Sequence, residues 1–356
     1  MRQPPLQKSY VANVALVVLA LFPGLINTSA LSLLSPVVGS DLGIAPDAVG
    51  RLPLFNDAAL AFGVLLAADL VRFFDARTIA YALVATSLAT SVVSAFATTF
   101  PLLVIAHAIH GLASGALFIA MLPPLLTGFG SKRLGTSAAV LVPCLFGAST
   151  LGPIVAALVA GAHLWRTIFA GEAVLSLVTI ALIALTLAPR PASEPDANPD
   201  WFAHVVSGCA ATSIFIGAGR AVGNEWSDPS VALPIALGVA LFITLFVGER
   251  IRPSALVPVR GLSTSLALVG ILATMIGSEC FAILTQANVL ELERIHHFDI
   301  RATGFATWPE ALAALGAGLL FGRLITTKWV ALVGVLGLAI LAAARCLTSG
   351  EIMLLY

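Results

Sequence analysis

Long apolar stretches, each near the length of one bilayer crossing, recur along this chain from residue 11 to residue 347. A spanning helix needs about 20 mostly apolar residues, because each residue rises about 1.5 Å and the hydrocarbon core is roughly 30 Å thick. Runs of that kind fall at 11–38, 52–71, 78–98, 101–126, 136–161, 165–187, 202–222, 229–248, 262–290, 302–325 and 329–347, eleven in all. None alternates with period two, which excludes a closed β-barrel, the other backbone that satisfies its polar groups in lipid. The expected fold is an all-α polytopic membrane protein. Composition agrees: 59% of the 356 residues are hydrophobic and 10% charged, with a mean hydropathy of +1.02, whereas soluble domains carry roughly 25% charged residues.

Lys+Arg 18 balances Asp+Glu 18, so there is no basic face for nucleic acid. Cys144, Cys209, Cys280 and Cys346 stand singly in apolar runs, without CxxC or Cys/His spacing. Neither a metal site nor a disulfide framework is expected, and no cofactor is implied. The run beginning at Val11 is too long for a signal-peptide core and lacks a convincing cleavage site, so it reads as the first membrane helix.

Lys and Arg concentrate in cytoplasmic loops. With Arg2 and Lys8 inside, alternate loops place Arg72, Arg77, Lys132, Arg133, Arg190, Arg250, Arg252, Arg260, Arg323 and Lys328 on the same side. Arg51, Arg166, Arg220, Arg294, Arg301 and Arg345 fall on the other. This bias predicts a cytoplasmic N-terminus and a multi-pass protein of the cell membrane, a bacterial inner membrane. Pro189–Asp200 holds four prolines and cannot propagate a helix. The chain is thus divided into a six-helix bundle over 1–187, a cytoplasmic linker over 188–201, two central helices over 202–248 and a partial bundle over 249–356. Two bundles joined by a cytoplasmic linker suggest a transporter in which one half rocks against the other.

The fifth run carries small residues at Gly147, Gly152, Ala156 and Ala157, around Pro153. Small residues let helix backbones approach closely, and proline removes one backbone hydrogen bond. At the following helix start, Trp165 suits the interface and Arg166 can snorkel to headgroups. Ser35–Gly43, Ile105-Ala-His-Ala-Ile-His-Gly111 with Ser114-Gly115, Gly152-Pro153 with Ala156-Ala157, Asp200-Trp-Phe202, Asn224-Glu-Trp226 and Thr303-Gly304 with Pro309 occur in that order. Together they resemble the major facilitator superfamily, specifically its fourteen-helix drug–proton antiporter branch. The resemblance implies a two-bundle architecture, an antiporter motif in the fifth helix and a cytoplasmic gate after the second, at Asp69, Arg72, Asp75 and Arg77. Asn27 stands where the family has an intramembrane Asp, His107 where it has Arg, His110 where it has Gln, and Phe74 where the gate has Gly. Eleven helices also fall three short of fourteen, implying an incomplete second bundle.

Ionisable groups inside a bilayer cost at least about 2.5–3.5 kcal/mol at a helix centre and point to function. Here they are Asp57, His107, His110, Glu172, Glu279 and Glu310, with Asn27, Asn56 and Gln286 as polar companions. They are expected to line one central outward-accessible cavity and a proton pathway. His107 and His110 share a helical face, which suits a proton-sensitive pair better than a metal site, since no third ligand accompanies them. Arg220 reads as a snorkelling residue at a helix end, and Glu291–Arg301 as a solvated outer segment. The expected function is secondary active export of small amphipathic or drug-like compounds against protons. The alternative is a transporter-like protein without transport activity, serving as a binding or assembly partner. An intramembrane hydrolase is disfavoured, because no G-x-S-x-G nucleophile lies near the histidines.

Overall fold

The computed structural model describes residues 4–160, 164–189, 191–195, 198–221, 224–252, 265–329, 332, 334–337 and 339–340. Among them all regular structure is helical: α1 Tyr10–Leu33, α2 Ser35–Leu42, α3 Pro46–Gly50, α4 Leu52–Phe73, α5 Ala76–Ala95, α6 Phe100–Thr127, α7 Ser131–Ala160, α8 Arg166–Thr186, α9 Trp201–Ala221, α10 Pro229–Ile251, α11 Ser265–Arg294, α12 Ile300–Ala306 and α13 Trp308–Leu324. Nine segments among the described residues are long and apolar enough to cross a membrane. They match the first eight expected runs and the tenth. The ninth corresponds to α11, and most of the run at 329–347 lies outside the described residues.

Two runs that read as continuous helices are interrupted. The first stops at Leu34, and Pro36 sits in the opening turn of α2; the tenth stops at Thr307, and Pro309 opens α13. Proline supplies no amide to the preceding turn and disfavours helical geometry in the residue before it, so each run splits there. Helix starts are capped where the sequence offers an acceptor. Ser9 takes the Ala12 amide, Asp75 that of Thr78 and Asp299 that of Ala302. Asp228 caps α10 by accepting from Ser230, and this hydrogen bond holds its carboxyl below the ordinary value. Its capping contribution is therefore complete above the usual carboxylate pKa and disappears as pH falls through the lowered one.

The helices are held at backbone-contact distance. A Cβ placed on Gly63 of α4 would lie 2.1 Å from the Leu112 carbonyl oxygen, and one on Gly115 of α6 would lie 2.0 Å from that of Leu60. Helix α7 is a wedge between α1 and the α12–α13 pair. Its Gly152 meets Ser29 of α1, whose hydroxyl donates to the Ser149 carbonyl at 2.6 Å. Ala156 is fully buried in the apolar cluster that includes Ala30, Leu31 and Leu34. On the other flank Gly304 lies against Pro153 and Ala157, Gly147 faces Ala314, and Gly318 and Gly322 pack on Pro143 and Ala139.

The α9–α10 hairpin leans on α4 through Gly208 against Phe62 and Gly219 against Leu54. The outer face of α10 exposes Leu233, Leu237, Phe242, Ile243 and Phe246, a surface suited to acyl chains. Trp165 corrects the expectation of an interfacial residue: it is fully buried, and its indole donates to Asp41 at 2.7 Å. Arg166 stacks 4.2 Å over that ring and donates to the Ala97 carbonyl at 3.0 Å. Asp41 supplies the partner that draws this pair inward, tying the start of α8 to α2 and to the α5–α6 connection.

Gly115→Ala should lower the thermal midpoint of the protein in detergent, because the added methyl overpacks the α4–α6 seam at a cost of about 1–3 kcal/mol. An unchanged midpoint would mean that these two backbones are farther apart than described.

Candidate functional site

The sequence expectation of one shared cavity divides in the structure, and the divider is α1. Leu25, Thr28, Ser29 and Ser32 occupy one face of this helix and line a cavity of about 300 Å³. Pro53, Asn56, Asp57 and Leu60 of α4, Ser149 and Pro153 of α7, and Thr285 and Gln286 of α11 complete its walls. All these segments lie toward the end of the bundle opposite the N-terminus. Asp57 accepts from the Asn56 side chain at 3.1 Å. Gln286 joins Asn56 and Asp57 in the lining, so three of the expected residues border one space between α4 and α11.

The opposite face of α1 carries Gly24 and Asn27, and here a second polar group is enclosed between α1, α6 and α8. Asn27 donates to Glu172 Oε2 at 2.5 Å, while Glu172 Oε1 lies 3.2 Å from His110 Nε2. Asn27 and Glu172 are each 5% exposed, and His110 is 6% exposed. A Cβ at Gly24 would sit 2.6 Å from His110 Nε2, so a side chain there would force the imidazole or α1 to shift. Thr90 Oγ1 donates to the carbonyl of Thr86 at 2.9 Å or Ser87 at 3.0 Å. The same hydroxyl lies 3.4 Å from His110 Nδ1, donating or accepting according to the tautomer of the ring. The Nε2–Oε1 contact needs a hydrogen between the two atoms, on the imidazole or on the carboxyl, since two bare lone pairs would repel. Ser114 Oγ is also 3.2 Å from Nε2. His107, fully enclosed, stacks on His110 with ring centroids 6.2 Å apart and meets Phe169 edge-on; its Nε2 has no hydrogen-bond partner among the described residues.

Glu310 occupies a third place. It opens α13 and accepts a short hydrogen bond from Asn288 of α11. The side chain of Glu279 lies outside the described residues.

The residues implied as a gate also separate. Asp69, 2% exposed, binds three groups: the Arg72 guanidinium at 3.1 Å, the His204 ring at 2.8 Å and the Asp200 amide at 3.0 Å. Arg72 reaches Glu194 at 2.7 Å, and Arg252 reaches Asp200 at 3.0 Å. This network fastens the proline-rich linker and α9 to the end of α4. Asp75 instead caps α5, and Arg77 packs over Tyr81 one turn along the same helix. His204, Glu194 and Asn288 escaped the sequence reading. A histidine three residues inside an apolar helix was the available signal for the first, whereas the partners of the other two are remote in sequence.

Residues 17–355 match the Major Facilitator Superfamily. The chain belongs to that family. It is 25% identical over 321 residues to the cephamycin export protein CmcT of Amycolatopsis lactamdurans, covering 88% of this chain and 65% of that protein. It is 24% identical over 328 residues to the uncharacterized MFS-type transporter YcnB of Bacillus subtilis (strain 168), covering 90% and 68%. The chain thus spans about two thirds of the length of these relatives. The crystal structure of the human organic anion transporter MFSD10 shares the fold, with a TM-score of 0.53 at 16% identity over 92% of this chain and 74% of that one. The family match and the shared fold make the chain a multi-pass helical membrane protein of the Major Facilitator Superfamily.

Asp69→Ala should cost about 3–5 kcal/mol, because it strips a buried ion-pair network of its shared acceptor. Asp75→Ala should cost about 1 kcal/mol, the loss of one helix cap. Thermal unfolding and limited proteolysis of the 188–201 linker distinguish them: only the Asp69 variant should cleave faster.

Proposed function

We propose that this protein is a secondary active transporter that exports a small amphipathic or drug-like compound in exchange for protons. It would act in a bacterial inner membrane with its N-terminus cytoplasmic, as a member of the drug–proton antiporter branch. The observation that carries this reading is the cavity of about 300 Å³ in which a single carboxylate, Asp57, faces hydroxyl and amide groups from three other helices. Its volume reaches the lower bound of small-molecule sites, roughly 300–1,000 Å³, and one embedded carboxylate favours a neutral or cationic compound. In the proposed orientation the cavity opens outward, while the linker network around Asp69 lies on the cytoplasmic side.

The proton would be held by Glu172 and His110, whose contact needs one proton and loses its attraction when that proton leaves. Removing it strands net negative charge among apolar helices, which is costly and can be relieved only by rearrangement or renewed protonation. Because α1 presents Asn27 to this pair and Thr28 to the cavity, a shift of α1 links the proton to the substrate. Pro23, buried one turn before Asn27, omits one backbone hydrogen bond and gives that shift a place to bend. A substrate moves the equilibrium only through unequal affinity for the two faces, and a carboxylate on one cavity wall supplies that inequality.

The test uses the full chain in proteoliposomes, with ethidium as a lipophilic cation probe and a proton gradient imposed by dilution. Ethidium should accumulate only when the lumen is acidic. Glu172→Gln should abolish the gradient dependence. Asp57→Asn should weaken ethidium competition at least about tenfold, the loss of one charge-assisted contact. Accumulation indifferent to the gradient would overturn proton coupling. Absence of transport for ethidium and for neutral lipophilic probes alike would favour the non-transporting, partner-binding alternative.

A further inference from the structure

Helix α4 has a second functional face. Pro53, Asn56, Asp57 and Leu60 look into the polar cavity, but Leu54, Phe55 and Ala58 look the other way and line a separate crevice against α9. That crevice holds about 260 Å³. Across it stand Thr212, Phe215, Ile216 and Gly219. Phe55 and Ile216 are exposed as well as lining, so the slot opens sideways from the helix pair rather than into the bundle. In a membrane this lateral opening meets acyl chains.

One end of the slot is charged. The helices run antiparallel, which brings Arg51, at the start of α4, and Arg220, near the end of α9, to the same level of the lining. From there the apolar walls run about two helical turns, roughly 11 Å, to Ala58 and Thr212. Arg220 uses one N–H on the Ser230 carbonyl at 3.3 Å. Arg51 makes no side-chain hydrogen bond or ion pair among the described residues. Asp228, whose charge acts on Arg220, is already committed as the cap of α10. Among the lining residues the mouth thus carries two cations and no anion, above an almost wholly apolar slot.

From this pairing we infer that the α4–α9 crevice binds an acidic phospholipid of the surrounding bilayer, its phosphate at Arg51 and Arg220 and an acyl chain along Phe55 and Ile216. Arginine forks match phosphate oxygens, and two cations at one level suit a single anionic headgroup. The sideways opening favours a lipid over a water-borne phosphate ester. Such a lipid would buttress α4 behind the Asp57 cavity and fasten the α9–α10 hairpin at the end opposite the Asp69 network.

The test uses the purified full chain in detergent, titrated with phosphatidylglycerol, phosphatidylcholine or inorganic phosphate. Retained lipid is counted by native mass spectrometry, and the thermal midpoint is followed in parallel. Phosphatidylglycerol should be retained and raise the midpoint, with the other two additions doing neither. The Arg51→Gln/Arg220→Gln pair should weaken retention roughly thirtyfold, whereas Arg51→Lys/Arg220→Lys keeps most of it. Ala58→Leu, which fills the slot with both charges intact, should also lose the lipid while its lipid-free midpoint stays near that of the parent. The assignment is overturned if phosphatidylcholine or phosphate stabilises equally, or if the double Gln variant retains phosphatidylglycerol as the parent does.

Discussion

In hydrocarbon a helix gains nothing by hiding leucine from lipid, so neighbouring helices hold together only where their backbones come close enough for dense packing or for hydrogen bonds. The rest of this structure depends on that constraint. Gly63 and Gly115 bring α4 and α6 together, Gly152 and Ser29 join α7 to α1, and Gly304 and Gly322 join α7 to α12–α13. Each seam has on at least one side a residue with little or no side chain, so the backbones meet directly and the larger polar groups are left pointing into specific spaces. Position in the bundle, more than residue type, then decides what each polar group can do.

Helix α1 illustrates the consequence. Positions 25, 28, 29 and 32 lie on one face, and positions 24 and 27 on another, following the three- and four-residue spacing of a helix. One face borders the cavity with Asp57, and the other presses against Glu172 and His110. Had Gly24 carried a side chain, its Cβ would lie 2.6 Å from His110 Nε2, and the imidazole or α1 would have to shift beside the Glu172 contact. The tight α1–α6 approach thus shapes the space that holds Glu172 and His110 as well as being a packing feature.

Much of the fold was legible because bilayer thickness imposes a length that any chain must obey, and the first eight spans and the tenth were read from that rule. Helix interruptions at Leu34 and Thr307 were less legible, since apolar composition continues across them and only Pro36 and Pro309 mark the change. The intramembrane ionisable residues could be named from sequence, as the cost of burying them makes them conspicuous. Their grouping could not. Asp57 and Glu172 fall in different spaces because helix rotation about its axis is fixed by glycine seams between segments far apart in the chain. The same limit hid His204: its partner Asp69 lies 135 residues away. It also misplaced Trp165, whose buried site exists only because Asp41 arrives from another element.

The two kinds of joint differ in how they can move. The α4–α9 junction is anchored by a buried carboxylate, Asp69, and sliding it would break both of the hydrogen bonds that cross to α9, from His204 and from the Asp200 amide, before others formed. The α7 seams are lined by glycine, alanine and proline carbons, with two side-chain hydrogen bonds to α7 carbonyls, from Ser29 and Thr307. Contacts between small apolar groups hold no directional bond that a shift must break before another forms, whereas a buried ion pair does. Rocking between halves would therefore occur along α7, and the α9–α10 hairpin would travel with the helices of the first bundle. On that division the proline pair in α7, Pro143 and Pro153, marks where the moving surface can bend, and the carboxylate of Asp57 stays fixed on the wall opposite.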